Sequence, residues 1–304
     1  MTVGVVISTY ERPEALDLVL TGYAAQTRAP DEVIVSDDGS GPETAEVVRR
    51  HADALALLHV WHADRGFGKT EALNRAIRAS SADYLIFTDH DCVPRSDFVQ
   101  THARLAEDDG FLSGGYVKLS EATTEMLSTE DVATGRAFRP GWLAAHGTDP
   151  GRHRLRLLEG GWPAAMLDRL TPTRPTWNGM SSSTWREHLE AANGFDLDFR
   201  YGGLDRELGL RLENAGLRGK QIRHRAVVLH LHHDRPYRDL EAIRAQRERR
   251  RAVRASGATR AERGIAQLDD AVETWVERYV ADAAADGVSD TAPDAAPDTA
   301  QGMA

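Results

Sequence analysis

Cysteine is nearly absent from this chain of 304 residues, which carries only Cys92. A lone thiol cannot close an internal disulfide and excludes zinc or iron–sulfur sites built on several cysteines, which fits a reducing compartment. Long apolar runs are missing as well, none approaching the ~20 residues that cross a bilayer. Met1 leads straight into Val3–Ile7 without a basic leader or a cleavage signal. The chain is therefore expected to be neither exported by a leader peptide nor threaded through a membrane, and to reside in the cytoplasm. Positive charge is not in excess, the net charge being −10, which argues against a nucleic-acid partner held by a whole-protein field. No G-x-G-x-x-G follows the first apolar run and no G-x-x-x-x-G-K-S/T occurs, so neither a dinucleotide fingerprint nor a Walker loop is available. Gly66-Phe67-Gly68-Lys69-Thr70 has the wrong spacing for one.

What is present is a β-α-β-α rhythm. Val3–Thr9, Glu32–Ser36, Leu55–Trp61 and Tyr84–Thr88 read as buried strands, separated by helical stretches at Pro13–Gln26, Glu43–His51, Lys69–Ser80 and Arg95–Ala106. Short runs that are apolar on both faces, joined by crossovers long enough for helices, predict an α/β fold with a mostly parallel central sheet flanked by helices. The rhythm fades from Phe111 to Trp177, a loop-rich stretch with frequent Gly, Pro and Trp. It returns with Asn178–Trp185, a helix over Asp205–Ala215 closed by Gly216, and a strand over Ala226–Leu231 that runs into His232-His233. One domain over residues 1–237 is expected, divided into a half at 1–106 and a half at 107–237.

A helical extension is expected over 238–280. Its first helix, Asp239–Ala255, is rich in arginine from Arg244 to Arg254. Its second, around Glu262–Val280, places Ile265, Leu268, Val272, Trp275 and Val276 on one face. Between Glu241 and Arg263 stand eight arginines and three glutamates. The plain reading of that segment is a solvated helix; the other is a basic face for peripheral docking on anionic lipid or a lipid-phosphate acceptor. Residues 281–304 carry five aspartates and no basic residue. Such a segment cannot offset the entropy of ordering, so a disordered acidic tail is expected.

Ligands of open α/β sheets bind beyond the carboxyl ends of the strands, and those ends are polar here. The candidates for contact with a bound ligand are Thr9, Tyr10 and Arg12 after the first strand, Asp37 and Asp38 after the second, and Asp89 and His90 after the fourth. Asp89-His90-Asp91 places two carboxylates on the same side of extended backbone, a hard-oxygen pair suited to Mg²⁺ or Mn²⁺ on a diphosphate. The alternative is an acidic turn in solvent. A carboxylate of Asp37-Asp38-Gly39-Ser40 can accept the N3–H of a uracil ring while Tyr10 stacks on the base; the alternative is an Asp-Gly turn and helix cap. Arg65, Lys69 and Arg75 are candidates for the diphosphate, with surface ion pairing as the other reading.

These strings together carry a resemblance. Val6–Pro13 (VISTYERP), Ile34–Ser40 (IVSDDGS), Leu73–Ile77 (LNRAI) and Tyr84–Asp91 (YLIFTDHD) resemble the nucleotide-sugar half of the family 2 glycosyltransferases, which have the GT-A fold. Trp177–Ser181 (WNGMS), Asn193–Asp196 (NGFD) and Tyr201–Leu212 (YGGLDRELGLRL) resemble the acceptor-side segments of the same family, including its chondroitin-polymerase-like and galactosyltransferase-like members. The resemblance covers about residues 3–235. It implies an inverting, metal-dependent enzyme that moves a sugar from a nucleotide-sugar donor to a carbohydrate or lipid-linked acceptor.

It further implies that Asp38 binds the uracil, Asp89 contacts the ribose or donor sugar, and Asp91 binds Mn²⁺ or Mg²⁺ with His230. The run His230-Leu231-His232-His233 leaves open which histidine joins Asp91, since alternation along a strand puts His230 and His232 on one face and turns His233 away. Asp205 matches the position of the catalytic base, with Glu207 nearby as a fallback. The family pair is usually Glu-Asp, and Leu204 replaces its first acid; the other reading of Asp205 is a helix cap. Trp177, Asn178, Gly179, Met180 and Gly203 fall on the acceptor side. Two alternatives stand beside a UDP-sugar transferase: the same fold with a GDP- or dTDP-sugar, and a non-catalytic nucleotide-sugar-binding scaffold.

Overall fold

The computed structural model describes residues 1–158, 161–199, 203–233 and 240–279. Val3–Thr9 (β1) is buried along its whole length and sits at the centre of the molecule. It pairs in parallel with Glu32–Asp37 (β2) on one side and Tyr84–Asp89 (β4) on the other, and β2 pairs in parallel with Leu57–His62 (β3). Pro13–Ala24 (α1), Pro42–Arg50 (α2) and Lys69–Ala79 (α3) make the crossovers. Alternation along β1 divides the core in two. Val3, Val5 and Ile7 join Leu16, Val19 and Leu20 of α1, while Val6 joins Leu73, Ala76 and Ile77 of α3. Helices on both faces are why the strands read as unbroken apolar runs.

The sheet continues beyond β4 through strands that reverse direction. Ser182–Trp185 (β8) runs antiparallel to both β4 and Gly110–Ser113 (β6), and Arg218–Gln221 (β9) pairs in parallel with β6. A three-stranded sheet stands beside it, in which Val227–His230 (β10) lies between Cys92–Pro94 (β5) and Gly115–Lys118 (β7). Phe98–Leu105 (α4) packs near β4. The stretch without clear periodicity holds β6, β7 and four short helices, Glu121–Met126 (α5), Thr129–Ala133 (α6), Pro140–Ala145 (α7) and Gly161–Leu170 (α8). Arg186–Ala191 (α9) and Leu204–Asn214 (α10) follow. The mixed α/β sheet flanked by helices agrees with the fold class expected from the sequence.

The extension holds one helix, one 3-10 turn and one strand among its described residues. Leu240–Ser256 (α11) forms as expected and packs against α10. The second expected helix does not: Ile265–Gln267 is a single 3-10 turn and Thr274–Tyr279 is a strand (β11) antiparallel to β3. The physical reason is the open edge of β3, whose unpaired backbone groups offer a ladder that an isolated amphipathic helix cannot match. Trp275 stacks on Trp61 with ring centroids 5.7 Å apart and meets His59 edge-on at 4.6 Å. Tertiary pairing thus overrides a helical spacing of apolar residues, helped by the β-forming T-W-V and the closing Tyr. Among the described residues no helix is long and apolar enough to cross a membrane. The acidic segment 281–304 and the expected domain boundary near Tyr237 lie outside the described residues.

Candidate active site

Because β1, β2, β3 and β4 are mutually parallel, their carboxyl ends open onto one edge. Asp89 closes β4 opposite Ser8, whose Oγ donates to Asp89 Oδ1 at 2.7 Å. Lys69, the first residue of α3, places Nζ 2.6 Å from the same oxygen. Burial works against the Lys69 ammonium, but Asp89, Asp205 and Asp91 around it hold its pKa above the ordinary lysine range. Asp38, just past β2, accepts from the Gly68 amide at 3.0 Å through Oδ2. Its Oδ1 is buried without a hydrogen bond, 3.3 Å from His62 Nε2 in an unfavourable orientation. Burial pushes the Asp38 carboxyl upward, and the His62 imidazole and Gly68 amide restrain the shift. Gly68 is needed for this approach, since a Cβ there would collide with Asp38 Oδ1. A buried carboxylate oxygen with spare acceptor capacity is a place for a ring N–H to bind.

The second cluster is assembled by strand register. β5 pairs antiparallel with β10 so that His230 stands opposite Cys92, and the Leu231 amide donates to Asp91 O at 2.8 Å. Asp91 Oδ2 lies 3.9 Å from His230 Nε2 and 3.1 Å from His233 Nε2. His230 and His233 stack with centroids 5.5 Å apart. His230 Nδ1 lies 2.8 Å from Leu231 O; the neutral tautomer that donates through Nδ1 presents the Nε2 lone pair toward the carboxylate. Two electron-rich atoms facing each other, with the second imidazole nitrogen held by a carbonyl, form a donor set that a divalent cation fits. The Cys92 thiol donates to Asp91 Oδ1 at 3.2 Å and is fully buried. Burial and the neighbouring carboxylates push its pKa well above the usual range, so it stays a thiol.

Across the cleft, Asp205 lies in the first turn of α10. Its Oδ1 is buried without a hydrogen-bond partner, and Gly179 packs so closely that a Cβ would stand 2.8 Å from that oxygen. Burial raises the Asp205 carboxyl to about 6, with Lys69 opposing the shift and Asp89 adding to it. A carboxylate raised toward neutrality and open to a partner suits a general base.

Several expected contacts are instead structural. Asp37 is fully buried, its Oδ1 accepting from the Ser40 amide and its Oδ2 2.8 Å from His59 Nε2; it builds the turn that presents Asp38. Arg75 is buried with its guanidinium on Glu71 and Asp269 O, because its helix face meets the segment before β11. Arg65 faces solvent with Asp269 Oδ2 3.9 Å away. Glu207 is buried with both oxygens on Arg211, at 2.6 and 2.8 Å, since two residues along a helix turn it to the far side from Asp205. His232 is exposed and His233 takes the place expected for it. β10 ends at His230, so strand alternation no longer governs the next residues.

The remaining candidates are mostly held in place by their neighbours. Trp177 is a core residue against Phe87 and Phe111. Asn178 bridges Ser113 and Ser182. Met180 O accepts from Thr88, and Gly203 caps α10. Thr9 O anchors the Asp38 amide. Tyr10 is 44% exposed with its hydroxyl 3.1 Å from Asp64, leaving its ring at the cleft rim. Arg12 adopts a left-handed φ of 61° directly after Glu11 at 52°, a strained pair of the kind that clusters at binding sites. His90 Nδ1 lies 3.2 Å from Ser8 O, and burial keeps its pKa below the ordinary histidine value. Sequence reasoning missed His62, and strand alternation turned His233 away from the face it takes up beside Asp91. The signal for His62 was available, for it ends the third parallel strand.

Residues 4–154 match the family described as Glycosyl transferase family 2. Validoxylamine A glucosyltransferase of Streptomyces hygroscopicus subsp. limoneus is 34% identical over 227 residues, covering 70% of this chain and 48% of that protein. Chondroitin synthase of Escherichia coli is 28% identical, covering 79% of this chain and 36% of its own length. The chain thus spans about half or less of the length of these relatives. Among solved structures, a mannosyltransferase from Pyrobaculum calidifontis, in complex with GDP-Man and Mn²⁺, superposes with a TM-score of 0.51 at 22% identity, covering 84% of this chain and 63% of that one. The strand-end carboxylates and these matches lead to one assignment: the chain belongs to glycosyl transferase family 2.

Proposed function

We propose that this chain transfers a glycosyl group from a UDP-sugar to a hydroxyl of a carbohydrate or lipid-linked acceptor, with inversion at the anomeric carbon. The observation that carries the reading is the convergence on one sheet edge of Asp38, Asp89, the Asp91–His230–His233 cluster and the raised carboxyl of Asp205. Asp38 Oδ1 accepts the N3–H of the base, Tyr10 covers the ring, and Ser8 and Lys69 hold Asp89 in place for the donor. Asp91, His230 and His233 would hold Mn²⁺ or Mg²⁺, which when bound neutralises the departing diphosphate. Asp205, ionised, takes the proton of the acceptor hydroxyl as that oxygen bonds to the anomeric carbon from the face opposite the leaving group. Lys69, between Asp89 and Asp205, supplies a fixed positive charge beside the developing negative charge.

The glucosyltransferase and chondroitin synthase relatives support glycan assembly as the setting. Leu204, which replaces the first acid of the family pair, does not by itself favour the non-catalytic scaffold. It is 5% exposed within the core cluster of Phe87, Trp177 and Leu208, where an acid would be stranded. The test is thermal stabilisation by UDP, GDP, dTDP and CMP, each with and without Mn²⁺. A ligand at a hundred times its Kd adds about 2.7 kcal/mol. Mn²⁺-dependent stabilisation by UDP is expected. Preference for GDP or dTDP would overturn the base assignment, and silence with every nucleotide would overturn nucleotide-sugar binding itself.

A further inference from the structure

Outside the cleft, α10, α11 and the segment 174–177 line an open hollow of ≈ 240 Å³ that none of the roles above uses. Among the described residues its charged lining is Arg174, Arg206, Arg250 and Arg254 with Glu213 as the acid, and Trp177 is among its other walls. It is smaller than the several hundred Å³ usual for a whole cofactor or drug-sized ligand, so it suits one ionic group. Arg174 spends part of its charge on Glu213 at 2.6 Å. Gly203 makes the arrangement sterically possible, because a Cβ there would collide with the Arg250 guanidinium. Holding like charges around one hollow carries a cost: burial, then Arg206 and Arg247, depress the Arg250 pKa. Arginine forks bind phosphate oxygens in pairs, and an anion in the hollow offsets that repulsion.

We propose that the α10–α11 cavity is a subsite for a phosphate or diphosphate group carried by the acceptor. This deepens the proposed transfer and rests on it for the word acceptor, while anion binding itself stands on the lining. Such a group is borne either by a lipid-linked glycan or by a soluble sugar phosphate. The expected docking of the arginine-rich helix on lipid phosphate thereby becomes one of two sources of the same ligand.

The experiment measures inorganic pyrophosphate binding by calorimetry in metal-free buffer at constant ionic strength. The proteins compared are the full chain, the double variant Arg250→Gln with Arg254→Gln, and Lys69→Gln as a donor-side control. Glutamine keeps helix propensity, and an unchanged melting temperature without ligand shows that a variant is folded. Loss of affinity on the order of tenfold or more in the arginine variant, well beyond any loss in Lys69→Gln, is the expected result. Absence of binding to the full chain, or loss in Lys69→Gln alone, overturns the subsite. Two further arms separate the sources: Arg250- and Arg254-dependent retention on phosphatidylcholine vesicles containing phosphatidic acid marks a lipid phosphate, and displacement of pyrophosphate by glucose 6-phosphate without vesicle retention marks a soluble one. If UDP with Mn²⁺ fails to stabilise the chain while the arginine-dependent pyrophosphate signal persists, the transferase reading falls and the anion site remains.

Discussion

Asp205 illustrates a conflict between stability and chemistry at a single side chain. Its carboxyl is raised to about 6, so the ionised form is penalised in the folded state relative to an unfolded carboxyl near 3.9. The penalty is absent below about pH 4, grows as pH rises toward 6, and is constant above. Asp205→Asn is therefore expected to be more stable than the parent by about 1–3 kcal/mol at neutral pH and nearly equal to it near pH 4. Urea unfolding at the two pH values measures this. The same substitution is expected to lower kcat roughly 100- to 10,000-fold, with UDP binding retained. In the parent, kcat should fall about tenfold per pH unit below 6. Glu207 behaves oppositely. Removing it strands the buried Arg211 guanidinium, so Glu207→Ala should cost about 3–5 kcal/mol while the folded fraction keeps its transfer rate. A variant that stays stable but loses turnover would return Glu207 to the catalytic list. Asp38, Asp89, Asp91 and Asp205 were legible because strand ends and family motifs fix their positions. Glu207 and Arg75 misled because a helix separates neighbouring residues onto opposite sides, which sequence proximity does not display.

At the scale of elements, the first four strands and their crossovers lie within a few residues of where the apolar runs end. Burial on both faces makes each strand short, continuous and β-branched. β11 escaped because its apolar spacing also satisfies a helix, and only the vacant edge of β3 decides between them. That pairing is open to test. Trp275 packs on Trp61 and His59, whereas Val276 is 53% exposed. Trp275→Ala should cost about 2–4 kcal/mol and Val276→Ala no more than about 0.5, read from urea midpoints. Equal costs would contradict the strand register. The short helices α5 to α8 were beyond sequence reasoning for another reason, since elements of five to ten residues take their stability from packing rather than from periodicity.

Across the whole molecule, the two core clusters meet at the sheet and the proposed donor and metal groups come from distant parts of the chain. Asp91 follows β4, while His230 and His233 lie at and just beyond the end of β10, and β5 joins them by register. Metal-dependent stabilisation is therefore expected to report on this long-range closure. Asp91→Ala should abolish the Mn²⁺-dependent part of the UDP response and leave the metal-free response, measured by the same thermal shift. If UDP stabilises the variant and the parent equally with Mn²⁺, the ion is held elsewhere.

The pairing of β11 with β3 also bears on how the chain is made. Thr274 lies opposite His62, more than two hundred residues earlier. At the usual pace of synthesis, about 5–20 residues per second, the β3 edge of the sheet waits on the order of ten seconds or more for its partner. During that interval a nascent chain shows β3 uncovered, with Trp61 still lacking its stacking neighbour. A ribosome-bound intermediate of this protein therefore offers a template for strand addition that the finished molecule has closed.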